Sequence, residues 1–151
     1  MTQPCVPDEF EIPQNHAGPG FLLEPLGPQH NDSDHHAWMS SIEHIRGTPG
    51  FPWGSWPPLD GLTLDENLRD LEQHADDFRR RVGFTYTVLD DDHQVIGCVY
   101  IYPSRANPEV TNVRSWVTAS RAELDTVLHQ TVTDWLAADW PFAKVSYRDQ
   151  L

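Results

Sequence analysis

The sequence predicts an α+β fold, a mixed sheet with helices on its faces, in the element order β-α-α-β-β-β-α-β. Three observations predict it. After Gly83 the apolar period changes from about 3.6 residues to about 2. Two apolar stripes at helical spacing are each preceded by a capping-box pattern, Thr63-x-x-Glu66 and Ser120-x-x-Glu123. A last strand pattern follows the second of these helices, which permits one parallel pairing with a right-handed crossover. The chain has 151 residues, 38% of them hydrophobic and 11% aromatic, enough for one domain with a real core.

The elements follow in order. Residues 1–19 carry Pro4, Pro7, Pro13 and Pro19 among polar residues and read as a flexible or draped Pro-rich extension, with the domain running from 20 to 151. Phe21 to Leu26 is a short apolar run, a first strand ended by Gly27 and Pro28. From Asp34 to Arg46, Trp38, Ile42 and Ile45 keep helical spacing, with Asp32, Ser33 or Asp34 as N-cap and Gly47 as the stop. Gly47 to Gly61 is rich in proline and glycine, cannot be helix or central strand, and exposes Phe51, Trp53 and Trp56. Loops of this kind often form lids or binding walls.

Thr63 and Glu66 open the best amphipathic helix, with Leu64, Leu68, Leu71, Ala75 and Phe78 along one side up to Val82. Arg79, Arg80 and Arg81 close it, where cations favour the helix dipole. Phe84, Tyr86 and Val88 then alternate with Thr85, Thr87 and Leu89. An acidic turn at Asp90 to Gln94 leads into Val95 to Tyr102, giving a hairpin that ends at Pro103. A third strand runs from about Val110 to Ala119. Ser120 and Glu123 open a helix carrying Leu124, Val127, Leu128, Thr131, Trp135 and Leu136, broken at Trp140 and Pro141. Phe142 to Tyr147 is the last strand.

Charge excludes several partners. Ten basic residues against 23 acidic ones leave a formal charge of −13, and Lys144 is the one lysine. Nucleic acid and anionic membrane surfaces both need a basic stripe that is absent here. No apolar run approaches the roughly 18 residues of a membrane span, and no secretory signal pattern opens the chain, so a cytoplasmic protein is expected. Cys5 and Cys98 are the two cysteines, with no CxxC pair, and no disulfide is expected.

Candidate chemistry lies in four places. His30, Asp32, Asp34, His35 and His36 form the densest ligand-type cluster. Adjacent histidines point about 100° apart on a helix, so no metal site is expected. Glu43 and His44 close the first helix beside the aromatic loop. Tyr100 and Tyr102 share a strand face with Ile96 and Cys98, and either hydroxyl could serve as acid or orienting group. Arg114 and Trp116 share a face on the next strand. No Ser-His-Asp order, P-loop or dinucleotide fingerprint occurs.

The strand FTYTVL at 84–89, the acidic turn, VIGCVYIYP at 95–103, VRSWV at 113–117 and the helix at 122–138 together resemble the GNAT (Gcn5-related N-acetyltransferase) superfamily over roughly residues 20–147. The resemblance implies a V-shaped split where the strand at 110–119 parts from the last strand. Acetyl-CoA's pantetheine would lie there as a pseudo-strand beside Trp116, Val117 and Thr118. It implies N-acetyl transfer to a small-molecule amine by direct attack, with no covalent enzyme intermediate. Phe51, Trp53 and Trp56 would bind substrate. Tyr100, Tyr102, Glu43 and His44 would be the catalytic candidates. A homodimer partner would complete the sheet edge.

One departure stands out. The family's glycine-rich diphosphate loop corresponds to residues 118–125, which contain no glycine and carry Asp125 in the first helical turn. A helix start already capped by Ser120 and Glu123 is a poor anion site, leaving Arg114, Arg121 and Arg105 to supply charge from side chains. A GNAT-fold protein that binds a ligand or partner and no longer uses CoA is the alternative.

Overall fold

A computed structural model describes residues 4–52 and 54–148 of the chain. Its strands are β1 (His16–Gly18), β2 (Phe21–Pro25), β3 (Phe84–Leu89), β4 (Val95–Pro103), β5 (Val110–Val117) and β6 (Lys144–Ser146). Its α-helices are α1 (Asn31–Met39), α2 (Ile42–Arg46), α3 (Leu64–Arg79) and α4 (Asp125–Asp139). The strands form one sheet in sequence order, antiparallel except for the parallel pair β5–β6. This is the α+β mixed sheet that the periodicity predicts, with one added strand. Residues 4–18 are draped across the domain. His16–Gly18 pairs with β2, the Tyr86 hydroxyl donates to the Pro13 carbonyl, and Arg81 donates to the carbonyls of Pro7 and Phe10. Val6 is buried, and Phe10 packs against Trp140.

Period-two alternation sends the two faces of the sheet to two apolar clusters. On one side α4 lays Leu128, Val132, Trp135 and Leu136 against Phe84, Tyr86, Val99, Ile101, Val113 and Val117. On the other, α1, α2, α3 and the loop after α2 bury Trp38, Ile45, Phe51 and Leu71 against Cys98, Tyr100 and Trp116. The strict alternation fails once. Val88 pairs with Gly97 while Leu89 pairs with Val95, a bulge that throws Ile96 onto the α4 side, away from Cys98 and Tyr100. The expected shared face of Ile96, Cys98 and the tyrosines is corrected accordingly. Gly97 is required at this point, because a Cβ would lie 2.5 Å from the Trp116 carbonyl oxygen on β5.

Two helix starts carrying the same motif behave differently. At α3 the capping box forms as expected: Thr63 Oγ1 accepts from the Glu66 N–H, and the Glu66 carboxylate accepts from the Thr63 N–H. At Ser120 and Glu123 it does not form. Ala119–Leu124 is a 3-10 segment, bent at Arg121, and α4 begins only at Asp125 with no side-chain cap. The would-be cap hydroxyl, Ser120 Oγ, pairs instead with Thr118 Oγ1 at 3.2 Å, and the chain entering the segment is tied down by the Thr118 N–H to the Ile96 carbonyl and the Ala119 N–H to Ser41 Oγ. The single helix expected over 34–46 is likewise broken into α1 and α2 at Ser40 and Ser41, where Ser40 Oγ donates back to the Ala37 carbonyl.

Candidate functional site

A cavity of about 670 Å³ opens between the loop after α2, the inner face of α3 and the ends of β4 and β5. Gly50 and Trp56 come from the loop, Asp70 and His74 from α3, Tyr100 and Tyr102 from β4, and Asn112 and Arg114 from β5. Helical spacing puts Asp70, His74 and Asp77 on the side of α3 that meets the sheet. Strand alternation puts Tyr100, Tyr102, Asn112 and Arg114 on the sheet face beneath them.

The polar groups form a connected set. Tyr102 Oη donates to Asp77 Oδ2 at 2.8 Å, and His74 Nδ1 lies 3.0 Å from that same hydroxyl and 2.9 Å from Thr85 Oγ1. A Tyr102 hydroxyl that gives its proton to Asp77 can only accept from His74. That places the ring proton on Nδ1 and the lone pair on Nε2, 3.9 Å from Asp70 Oδ2. Burial holds the His74 imidazole below its usual value, opposed by Asp70 and Asp77 and reinforced by Arg114, so the ring is neutral at pH 7. Burial pushes both tyrosines well above the usual phenol range.

Arg114 is fixed by stacking. Its guanidinium carbon lies 4.9 Å from the Phe51 ring centre and 5.4 Å from that of Tyr100. Its stem runs beneath Gly50, where a Cβ would be 3.1 Å from Arg114 Cγ and φ is +99°. Trp56 packs against Trp38, Phe51, Tyr100 and Trp116, and its indole N–H is buried without an acceptor among the described residues.

The residues expected from sequence are thus partly gathered. Tyr100, Tyr102, Arg114 and Trp56 line the cavity, and Phe51 backs Arg114 and Trp56. Trp116 is fully buried and donates its indole N–H to Tyr100 Oη at 2.9 Å. Val117 lies on the α4 side, and Thr118 is buried at the end of β5. Glu43 and His44 sit on α2 and are not among the lining residues. Arg121 reaches Asp90 at 3.4 Å. Arg105 joins the cavity rim from the β4–β5 loop, and Trp53 lies outside the described residues. Sequence reasoning missed His74, Asp70, Asp77 and Thr85. The i, i+4 spacing of Asp70 and His74 was visible, but nothing local announces that Tyr102 and Thr85 will meet them.

The histidine-rich segment has structural partners instead. His30 lies between the Gly27 N–H and the Glu24 carboxylate, and His35 Nε2 is 2.6 Å from the Leu62 carbonyl. Buried Asp34 accepts from Asn67 Nδ2, and Asn67 Oδ1 accepts from the Trp38 indole. Among the described residues no three His, Cys, Asp or Glu side chains come together as a metal-sized group. Cys5 and Cys98 are both free thiols; Cys98 is fully buried, which pushes its thiol well up.

At the other edge of β5 the sheet opens. Among the described residues β6 pairs with β5 only at Val110–Lys144, Thr111–Val145 and Asn112–Ser146, so 113–117 have no strand partner there on that side. Arg148 spans the opening. Its guanidinium makes two bonds to the Asp125 carboxylate, 2.6 and 2.8 Å, and a third to the Ser115 carbonyl at 3.0 Å. The Tyr147 and Ser115 hydroxyls are also bonded to each other.

A six-stranded sheet in this order, with its last parallel pair parting beyond three residues and a helix crossing between, is the GNAT fold. Solved structures share it at low identity. The ribosomal-protein-S5-alanine acetyltransferase of Vibrio fischeri superimposes with a TM-score of 0.69 at 14% identity, covering 88% of this chain and 72% of the other. The microcin C7 self-immunity acetyltransferase MccE, solved with acetyl-CoA and AMP, gives 0.60 at 12%, covering 78% and 61%. A spermidine N-acetyltransferase SpeG chimera, from Vibrio cholerae and hSSAT, gives 0.54 at 10%, covering 85% and 70%. No protein-family model matches the sequence, and no curated protein does. At these identities the likeness is one of fold. No helix among the described residues is long and apolar enough to cross a membrane.

The fold raises acetyl-CoA as a co-substrate, and the residues present can be tested against it. Beyond Asn112 the edge of β5 has no strand partner among the described residues, but the Arg148 guanidinium holds the Ser115 carbonyl and the Tyr147 hydroxyl meets the Ser115 hydroxyl there. The start of α4 does not fit a diphosphate. It has no glycine, it is reached through a bent 3-10 segment, and its first residue presents the Asp125 carboxylate.

Proposed function

We propose that the protein is an N-acyltransferase of the GNAT kind, which moves an acetyl group from acetyl-CoA to a small-molecule amine by direct attack. One observation carries the reading: His74 Nε2 and Asp70 Oδ2, two acceptors 3.9 Å apart at the cavity wall, with the ring proton on the far nitrogen. An alkylammonium has three N–H donors and fits between two such acceptors. Attack requires the free amine, and a neutral imidazole is suited to take the ammonium's proton near pH 7. Thr85 and Tyr102 fix the ring, and Asp77 fixes Tyr102. Tyr100 and Tyr102 stay protonated and act as orienting hydroxyls. Trp56 forms the apolar side of the pocket with Phe51 fully buried behind it, and Glu43 and His44 take no part in this proton path.

A second reading is a GNAT-fold protein that binds a ligand and no longer uses CoA. It is favoured by the Arg148–Asp125–Ser115 clamp and the glycine-free start of α4. Thiol release from acetyl-CoA in the presence of a mixed set of small amines separates the two. Acyl transfer gives release that needs both protein and amine, and that falls roughly a hundredfold in His74→Gln. Release no faster than in buffer leaves the second reading.

A further inference from the structure

We infer that the ligand of this cavity is an amine that also carries an anionic group, a carboxylate or a phosphate, seated on Arg114. The amine half rests on the function proposed above, while the anionic half stands on Arg114 alone. The chain has 23 acidic residues against ten basic ones, and its arginines are generally paired. Arg79, Arg80, Arg121 and Arg148 reach carboxylates, and Arg46 and Arg81 reach carbonyls. Arg114 has no carboxylate or carbonyl partner among the described residues, although it is half-buried and held in one place by Phe51, Tyr100 and the passage under Gly50.

The two ring contacts hold the guanidinium in place, and its N–H groups carry no carboxylate or carbonyl partner among the described residues that would compete with a planar or tetrahedral anion. A receptor group already immobilised has less ordering entropy left to lose on binding. Arg105 adds a second cation on the rim of the same cavity, while Asp70 and His74 stand on its α3 wall. The cavity therefore has a cationic side and an acceptor side. A simple amine would leave Arg114 unmatched, and a simple anion would meet Asp70. A volume of about 670 Å³ takes a small zwitterion with room to spare.

Trp56 in the cavity wall supplies an intrinsic fluorescence readout. The probes are 6-aminohexanoate, hexylamine and hexanoate, with O-phosphoethanolamine and ethanolamine as the phosphate pair. The zwitterions should bind roughly tenfold or more tightly than their matched amines. Arg114→Gln, shown to be folded by circular dichroism, should abolish that difference, and Arg114→Lys should fail to restore it because an ammonium is not a planar fork. Equal binding of hexylamine and 6-aminohexanoate overturns the inference. So does a preference that survives Arg114→Gln, or silence from every probe at tens of millimolar. Arg114-dependent zwitterion binding without acetylation would instead sink the proposed function and leave the anion seat standing.

Discussion

Replacing Asp34 by asparagine should make the protein more stable at neutral pH, and the size of the gain can be worked out. Asp34 is 4% exposed on α1, and its pKa is pushed up to about 6 from 3.8, chiefly by burial and against the hydrogen bond from Asn67. A carboxylate raised in the folded state gives stability that is fully present below its unfolded pKa and is lost as pH rises through the folded one. The difference of about two units corresponds to about 3 kcal/mol in full, of which about 2 kcal/mol falls between about pH 4 and pH 7. An asparagine can still accept from Asn67 without being charged. Burial lowers the pKa of His74, so His74 contributes the opposite slope, stability being lost as pH falls below its unfolded pKa. The quantity to read is therefore the variant minus the wild type. Urea unfolding at intervals across this range should show the difference growing by about 2 kcal/mol in favour of Asp34→Asn as pH rises. A difference that stays flat would mean that Asp34 is not desolvated as described, and the packing of α1 on α3 through Asn67 and Trp38 would need revision.

Gly97→Ala should destabilise by about 2 kcal/mol or more in the same assay, because the new methyl meets a backbone carbonyl in the middle of the β4–β5 ladder. A neutral result would mean that the bulge relaxes freely. Thr63→Ala should cost about 1 kcal/mol through loss of the α3 cap, whereas Ser120→Ala should cost far less because no box forms there. Equal losses at the two sites would contradict the 3-10 start of α4.

Much of the fold was legible because its signals are local. The hairpin of β3 and β4 shows its period and its acidic turn, and the α3 cap is satisfied by residues three apart. What could not be read depends on distant partners. The Ser120 box has the same letters as the Thr63 box, but its hydroxyl turns to Thr118 Oγ1 and the chain before it is anchored to Ile96 and Ser41. The bulge at Ile96 moves one side chain across the sheet with no sequence mark beyond Gly97. At the site, the aromatic loop and the Tyr100, Tyr102 and Arg114 faces were visible from alternation alone. His74 was hidden as one polar residue on an amphipathic helix. Its chemistry comes from Thr85 and Tyr102, 11 and 28 residues away. Arg148 was unreadable for the same reason: its value lies in meeting Asp125 and Ser115 across the sheet edge.

Calorimetric titration with acetyl-CoA, of the wild type and of Arg148→Ala, bears most directly on whether this fold carries acyl transfer. Saturable one-to-one heat from the wild type, altered when the guanidinium beside Ser115 is removed, is the outcome expected of an acyltransferase. No heat from either protein at millimolar ligand would contradict it.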